Sequence, residues 1–235
     1  MTPLSSLPDP EAVDAVIFDA GGVLLLPDAA AGQAAVATLD CESSREDWHR
    51  AHYTANLAID QMTTLDWESA RQVIASTVGV PDDKLDAAVA LLEELMETTP
   101  WVAVDGAADA LRALSGAGYQ LAVVSNASGN VARLLADNRV CSTEEADLTR
   151  VGIIVDSFLV GIEKPDPRIF HIALDALGVT ADRSLYIGDT IRFDVIGARA
   201  AGLHPVHVDP FRLCADEGHS HIATLGELAR WLLPG

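Results

Sequence analysis

Cysteine is scarce in this chain of 235 residues: Cys41, Cys141 and Cys214 stand far apart. An odd number without paired spacing argues against a disulfide framework and against a zinc site, and it points to a reducing compartment. Positive charge is also scarce. Lys and Arg total 15 against 35 acids, a net charge of −20. So acidic a surface repels polyanions, which argues against nucleic acid and anionic membranes as partners. A local pocket can still invert that field for a small anionic substrate. No apolar run reaches the ~20 residues that a membrane helix requires. The N-terminal M-T-P-L-S-S-L-P-D-P-E has neither a basic start nor a long apolar stretch, so no signal peptide is expected there. A soluble, cytoplasmic protein is the expectation. Hydrophobic residues make up 49%, enough for a sizeable core and too many for wholesale disorder.

What is present is an alternation of short apolar runs and helical patterns. Ala15–Phe18, Leu121–Val124, Gly152–Val155, Leu185–Ile187 and Pro205–Val208 are rich in Val and Ile and bounded by turn residues, as buried parallel strands are. Between them lie helical patterns at Asp105–Ala117, Asp166–Leu177 and Phe193–Ala201, stopped by Gly118, Gly178 and Gly202. This order predicts an α/β fold, a doubly wound parallel sheet with helices on both faces. The stretch 28–100 lacks strand patterns. It offers helices at Ala29–Leu39, Arg45–Ile59, Asp66–Val78 and Asp82–Thr98. The expected organisation is an α/β core of residues 1–27 and 101–235, with a helical domain of residues 28–100 inserted after the first strand. The polar stretch 137–151 fits no pattern and reads as a surface excursion.

Ligands of open α/β sheets sit beyond the carboxyl ends of the strands. Asp19 ends the first strand here, and Ser125-Asn126 end the second. Lys164-Pro165 follow the third, and Gly188-Asp189 end the fourth, with Asp194 five residues on. Carboxylates at strand tips suit Mg²⁺, which takes hard oxygen ligands. A lysine, a hydroxyl and backbone amides suit a phosphoryl group. A free carboxylate can serve as the nucleophile. Singly, each residue has a bland alternative. An Asp at a strand end is often a helix cap, and Asn126 suits a turn. Asp194 in a first helical turn is favoured by the dipole alone. Their order and placement together carry the signal.

The chain resembles the haloacid dehalogenase (HAD) superfamily, mostly phosphatases, in its haloacid-dehalogenase-like branch with a helical cap. The resemblance rests on F-D-A-G-G-V-L (Phe18–Leu24), V-V-S-N (Val123–Asn126), E-K-P-D-P-R-I-F (Glu163–Phe170) and Y-I-G-D-T-I-R-F-D-V-I-G-A-R-A-A-G (Tyr186–Gly202). It covers nearly the whole chain and implies a Rossmann-like core. It also implies Asp19 as nucleophile and Mg²⁺ ligand, the carbonyl of Gly21 and Asp189 as further ligands, and Ser125 with the amide of Asn126 on the phosphoryl oxygens. Lys164 would steady the phosphoryl group and the nucleophile. Asp194 would stand behind, holding metal-bound water or Lys164.

One position departs from the family. Most of its phosphatases carry an Asp two residues after the nucleophile, as general acid and base; here it is Gly21. Loss of such a group costs ~10²–10⁴-fold in rate. Three readings follow. The first is a Mg²⁺-dependent phosphatase acting on a small phosphorylated metabolite with a good leaving group. The second is a metal-independent 2-haloacid dehalogenase, which the intact G-D-T-I-R-F-D argues against. The third is a ligand- or protein-binding scaffold with little or no turnover. Substrate choice would lie with the helical insert, where Trp48, His49, His52, Tyr53, Trp67 and Arg71 are candidates; the three aromatics also fit a core role. His204, His207, His219 and His221 gather near the end of the chain and read as strand-end and loop residues, with metal binding the minor alternative. A monomer is expected, with a homodimer through the insert as the alternative.

Overall fold

The computed structural model describes residue 4 and residues 7–215 and 218–233. In chain order its elements are β1 (Ala15–Phe18), β2 (Leu25–Pro27), α1 (Ala29–Ala37), α2 (Arg45–Gln61), α3 (Trp67–Thr77), α4 (Leu85–Thr98) and β3 (Trp101–Ala103). There follow α5 (Ala107–Gly116), β4 (Gln120–Ser125), α6 (Val131–Asp137), β5 (Ile153–Asp156), the one-turn α7 (Ser157–Val160) and α8 (Pro167–Leu177). The chain continues with β6 (Ser184–Gly188) and a π-helical turn (Ile191–Val195) leading into α9 (Ile196–Ala200). It closes with β7 (His204–Val208), β8 (Ser220–Ile222) and α10 (Leu225–Leu232).

The chain divides into two compact units, Met1–Leu25 with Ala103–Gly235, and Leu26–Val102. The first is built on a six-stranded sheet of order β5-β4-β1-β6-β7-β8, parallel in every pairing. β1 sits centrally because all four of its residues are apolar and buried on both faces. Full burial of Val16, Ile17 and Phe18 stabilises by about 1.5–3 kcal/mol each. On one face Ile17, Ala122, Val124 and Tyr186 pack against Ile169, Phe170, Ala173 and Leu174 of α8. The chain winds outward from β1 through β4 to β5, then returns to β6 on the other side of β1. That reversal opens a crevice at the strand ends. The five expected strands are all present, and β8 adds an edge strand that S-H-I was too short to announce.

Two features of this unit depart from expectation. The stretch 137–151 is anchored rather than purely superficial: Val140, Cys141 and Val151 are buried, and burial pushes the Cys141 thiol up to about 12. Ser142 ties it together, its N–H donating to Thr149 O (3.1 Å) and its hydroxyl accepting from the N–H groups of Glu144 and Glu145. The helix expected at 193–201 begins earlier, as the π turn, where the N–H of Val195 reaches back to Thr190 O at 3.2 Å.

The second unit carries α1–α4. Asp28 caps α1, Ser44 and Asp47 form a reciprocal capping box at α2, and Asp66 caps α3. Its core joins Val36, Cys41, Ala51, Ala75, Val78, Ala88 and Leu92. The Trp48 indole lies so close to Gly32 that a Cβ there would clash, and its Nε1 donates to Ser43 Oγ at 2.9 Å. Trp48 and Tyr53 are therefore packing residues, whereas Trp67 is half exposed at 48%. Arg71 pairs with Glu93 at 3.5 Å. The two segments joining the units pair as a ribbon of β2 with β3, each three residues long and more than seventy residues apart in sequence.

Candidate active site

Every residue singled out at the strand ends lies in the α/β unit. Asp19 follows β1 directly, and its N–H still donates to Ile187 O at 2.8 Å, so the strand's register carries it to the rim. Its Oδ1 accepts from Ala20 N–H at 2.7 Å and stands 3.0 Å from Lys164 Nζ. The chain then turns sharply: Leu24 and Leu25 both donate to Ala20 O, and Gly22 donates to Leu25 O at 2.8 Å. Gly22 takes the left-handed backbone of that turn, φ 66°, and Gly21 does not. The conformational need for glycine therefore lies at position 22.

Lys164 is buried at 2% exposure, and it would be costly there without partners. Its ammonium donates to Asp194 Oδ1 at 2.7 Å and to the Tyr186 hydroxyl at 3.1 Å, besides facing Asp19. Burial favours the neutral amine, but the carboxylates of Asp19 and Asp194 outweigh it and raise the lysine's pKa. Its backbone is clamped by Asn126: Nδ2 donates to Lys164 O at 3.1 Å, and Oδ1 accepts from Lys164 N–H at 2.8 Å. The Asn126 side chain thus positions the lysine. Ser125 ends β4 beside β1 and is buried.

Asp194 is the most fully engaged acid of the site. Oδ2 accepts from the N–H groups of Asp189 (3.2 Å) and Thr190 (3.0 Å) and from Thr190 Oγ1 (2.6 Å). Oδ1 accepts from Lys164 and, at 3.0 Å, from Tyr186, whose ring rests edge-on against Phe170. Burial would raise its pKa, but Lys164 and Thr190 prevail and lower it. The carboxylate reaches this place because residue 188 is glycine; a Cβ there would overlap the Asp194 side chain. The π turn that carries Asp194 is a motif often found at functional sites.

Asp19, Asp189 and Asp194 bring carboxylate oxygens within 4.8 Å of one another. Three carboxylates thus face one ammonium in a buried cluster. Burial first, opposed by Lys164 and reinforced by Asp194 and Asp189, pushes the Asp19 carboxyl up to about 7. A hard divalent cation fits this donor set and its excess negative charge, and Asp19 with Asp189 would hold it. Asp194 has its oxygens committed to five donors and is a positioning residue. Sequence reasoning missed one further acid. Asp156, at the tip of β5, accepts from Gly129, Val131 and Phe158 N–H and so fixes the loop after Ser125 and Asn126. Its signal was available, as a further strand ending in a carboxylate.

A model of the haloacid dehalogenase-like hydrolases matches residues 13–202. The haloacid dehalogenase-like hydrolase domain-containing protein 3 of Bos taurus is 34% identical over 140 residues, 59% of this chain and 53% of that protein. A phosphoserine phosphatase of Thermus thermophilus is 47% identical over 57 residues, 24% of this chain and 23% of that enzyme. The chain therefore spans about half the length, or less, of these curated relatives. Among solved structures, YfnB of Bacillus subtilis, a HAD-hydrolase solved bound to magnesium, superposes with a TM-score of 0.61 at 19% identity, over 94% of this chain and 98% of its own. Dehalogenases share the fold as well. The family match, the parallel sheet and the Asp19–Lys164–Asp194 geometry agree: the chain is a member of the haloacid dehalogenase-like hydrolases.

Proposed function

We propose that this hydrolase is a Mg²⁺-dependent phosphatase of a small phosphorylated metabolite, working through an aspartyl-phosphate on Asp19. The observation that carries the reading is the Asp19–Lys164–Asp194 chain, with contacts of 3.0 and 2.7 Å inside a buried all-oxygen acidic cluster. Relatives named phosphoserine phosphatase and glyceraldehyde 3-phosphate phosphatase support it.

Asp19 attacks phosphorus, the bond from phosphorus to the ester oxygen breaks, and the leaving alkoxide takes a proton. Water then attacks phosphorus, releasing phosphate and restoring the Asp19 carboxylate. Lys164, fixed at its backbone by Asn126 and at its ammonium by Asp194, holds the Asp19 carboxylate in line and offsets charge on the phosphoryl oxygens. Ser125 and the Asn126 amide bind those oxygens. When bound by Asp19, the Gly21 carbonyl and Asp189, Mg²⁺ supplies charge neutralisation at the phosphoryl group. Position 21 supplies no proton, so water protonates the leaving group, and substrates with acidic leaving groups are favoured. A cytoplasmic, monomeric enzyme completes the proposal.

Gly21 is the feature that favours dehalogenation as a second reading. There the Asp19 carboxylate would displace halide from carbon, and no acid is needed. The test is phosphate release from para-nitrophenyl phosphate by wild type and Asp19→Asn, with Mg²⁺ and with EDTA. Release requiring both Mg²⁺ and Asp19 supports the phosphatase. Halide release from 2-haloacids in EDTA, with no phosphate release, would replace it with the dehalogenase. Activity in neither assay would turn the reading towards a ligand-binding protein.

A further inference from the structure

We propose that His207, Cys214, His219 and His221 form a zinc site, a second metal centre distinct from the acidic cluster at Asp19. The four side chains each offer one ligand atom, and all these atoms lie within 4.8 Å of one another. The three histidines are buried and Cys214 is partly so. The backbone explains the convergence. In the parallel β7–β8 pair His207 stands opposite His221. Partners in register share a face of the sheet, and His219, two residues before His221, shares it too. The three rings meet, with centroids 4.3 to 5.1 Å apart. The connection from β7 to β8 then brings in the sulfur. Asp209 accepts from the N–H groups of Leu213 (2.8 Å) and Cys214 (2.9 Å), and this turn places Cys214 Sγ 3.9 Å from His219 Nε2.

These separations suit tetrahedral zinc. Bonds of ~2.0–2.1 Å to nitrogen and ~2.3 Å to sulfur place neighbouring ligands roughly 3.3–3.7 Å apart. The observed 3.0 Å between His207 Nδ1 and His219 Nε2, and 3.9 Å from that nitrogen to sulfur, bracket the range. The tautomer of His207 also fits. Its Nε2 lies 3.2 Å from Asp189 O, an atom that only accepts, so the proton is on Nε2 and the lone pair on Nδ1 points into the cluster. A ligating histidine that gives its other N–H to a backbone carbonyl is the usual outer arrangement of a metal site.

His221 adds an independent indication. It is buried, and neither ring nitrogen has a hydrogen-bond partner. Such groups are rare in folded proteins, and a bound ion is one of the accepted explanations. Asp209 Oδ2 stands 3.8 Å from His221 Nδ1. One Zn²⁺, one thiolate and that carboxylate sum to zero charge, which makes the buried site affordable. Nitrogen and sulfur donors select zinc, whereas the all-oxygen cluster at Asp19 selects magnesium. Four protein ligands close the coordination shell, so this zinc is structural. It staples the three-residue edge strand β8 and the preceding connection to β7, and through His207 it buttresses the backbone at Asp189.

The test is metal content by mass spectrometry and the absorption spectrum of the Co²⁺-reconstituted protein. Both are measured for wild type, Cys214→Ser, His219→Ala and the double variant Asp19→Asn/Asp189→Asn. Zinc is expected at one ion per chain in wild type and in the double variant. Affinity is expected to fall by more than the roughly 10–100-fold that loss of an outer partner brings in Cys214→Ser and His219→Ala. The Co²⁺ protein should show tetrahedral d–d bands with a thiolate-to-cobalt charge-transfer band. If Cys214→Ser and His219→Ala do not fold, the wild-type Co²⁺ spectrum decides alone. Failure of wild type to take up Zn²⁺, a Co²⁺ spectrum without thiolate character, or zinc lost from the double variant and kept in Cys214→Ser would each overturn the proposal.

Discussion

Replacing Asp194 by Asn tests the network that holds the buried Lys164. The carboxylate accepts from Lys164 and Tyr186 on Oδ1, and from the N–H groups of Asp189 and Thr190 and the Thr190 hydroxyl on Oδ2. An Asn oxygen can replace only one of those two sides. If it serves the backbone amides, which cannot turn away, the Asn NH₂ faces the Lys164 ammonium, donor against cation. Tyr186 adapts, because its hydroxyl can turn its one proton from Asp194 to Val124 O, also at 3.0 Å, and accept from the amide. The loss therefore falls on the buried Lys164–Asp194 pair, with the residues 2% and 1% exposed. Removing one partner of such a pair costs about 3–5 kcal/mol. Urea unfolding followed by circular dichroism should show a loss of that size. Lys164→Met in the same background should add much less than it costs alone, because the ammonium has already lost its shorter carboxylate contact and keeps only Asp19. A loss below about 1 kcal/mol in Asp194→Asn, or additive effects in the pair, would refute the idea that Asp194 anchors Lys164.

Other consequences follow from the same geometry. Gly21→Asp should restore an acid and base, since the left-handed backbone lies at Gly22; turnover of substrates with poor leaving groups should rise by ~10²–10⁴-fold, and its dependence on leaving-group pKa should flatten. An unchanged steep dependence in a folded Gly21→Asp protein would show that the position is not a proton-transfer site. The Asp19 carboxyl, pushed up to about 7 by burial and its acidic neighbours, must lose its proton to take a cation. Mg²⁺ affinity by calorimetry should therefore weaken roughly tenfold per pH unit below that value and level off above it. In the metal-free protein the same raised pKa contributes stability below ~3.9 that is lost as pH rises to about 7. Gly188→Ala should displace Asp194 and lower both kcat and stability, because the new Cβ occupies the place of that side chain; wild-type kinetics in Gly188→Ala would contradict the close approach.

The sheet was legible because its central strands are buried on both faces and so read as plain runs of Val and Ile. The acids at their tips were legible together, because an Asp at one strand end can be a helix cap, whereas Asp19 and Asp189 end separate strands on one rim. What escaped depended on pairing across long separations or on short elements. The β2–β3 ribbon joins Leu25–Pro27 to Trp101–Ala103, and no local pattern marks three-residue strands so far apart. The seven residues of α6 are too few to set a period. The terminal α10 escaped although its buried Leu225, Leu228 and Leu232, at i, i+3 and i+7, mark a helical stripe. At Asn126 the residue was visible, but not that its side chain grips the Lys164 backbone. The histidines show how strand parity decides. His204 begins β7 and lies three positions before His207, an odd offset, so the two point to opposite faces; His204 instead contacts Asp182 O at 2.9 Å. Cys214 takes its place through the Asp209 turn, which spacing alone did not foretell.

The central claim is that Asp19 becomes phosphorylated during turnover. Acid quench of the enzyme with Mg²⁺ and para-nitrophenyl phosphate, followed by mass spectrometry of its peptides, addresses it directly. The account predicts a phosphoryl group on the peptide containing Asp19, absent in Asp19→Asn and accumulating because no general base at position 21 takes a proton from the attacking water. Steady phosphate release with no adduct on Asp19, or release that persists in Asp19→Asn, would contradict it.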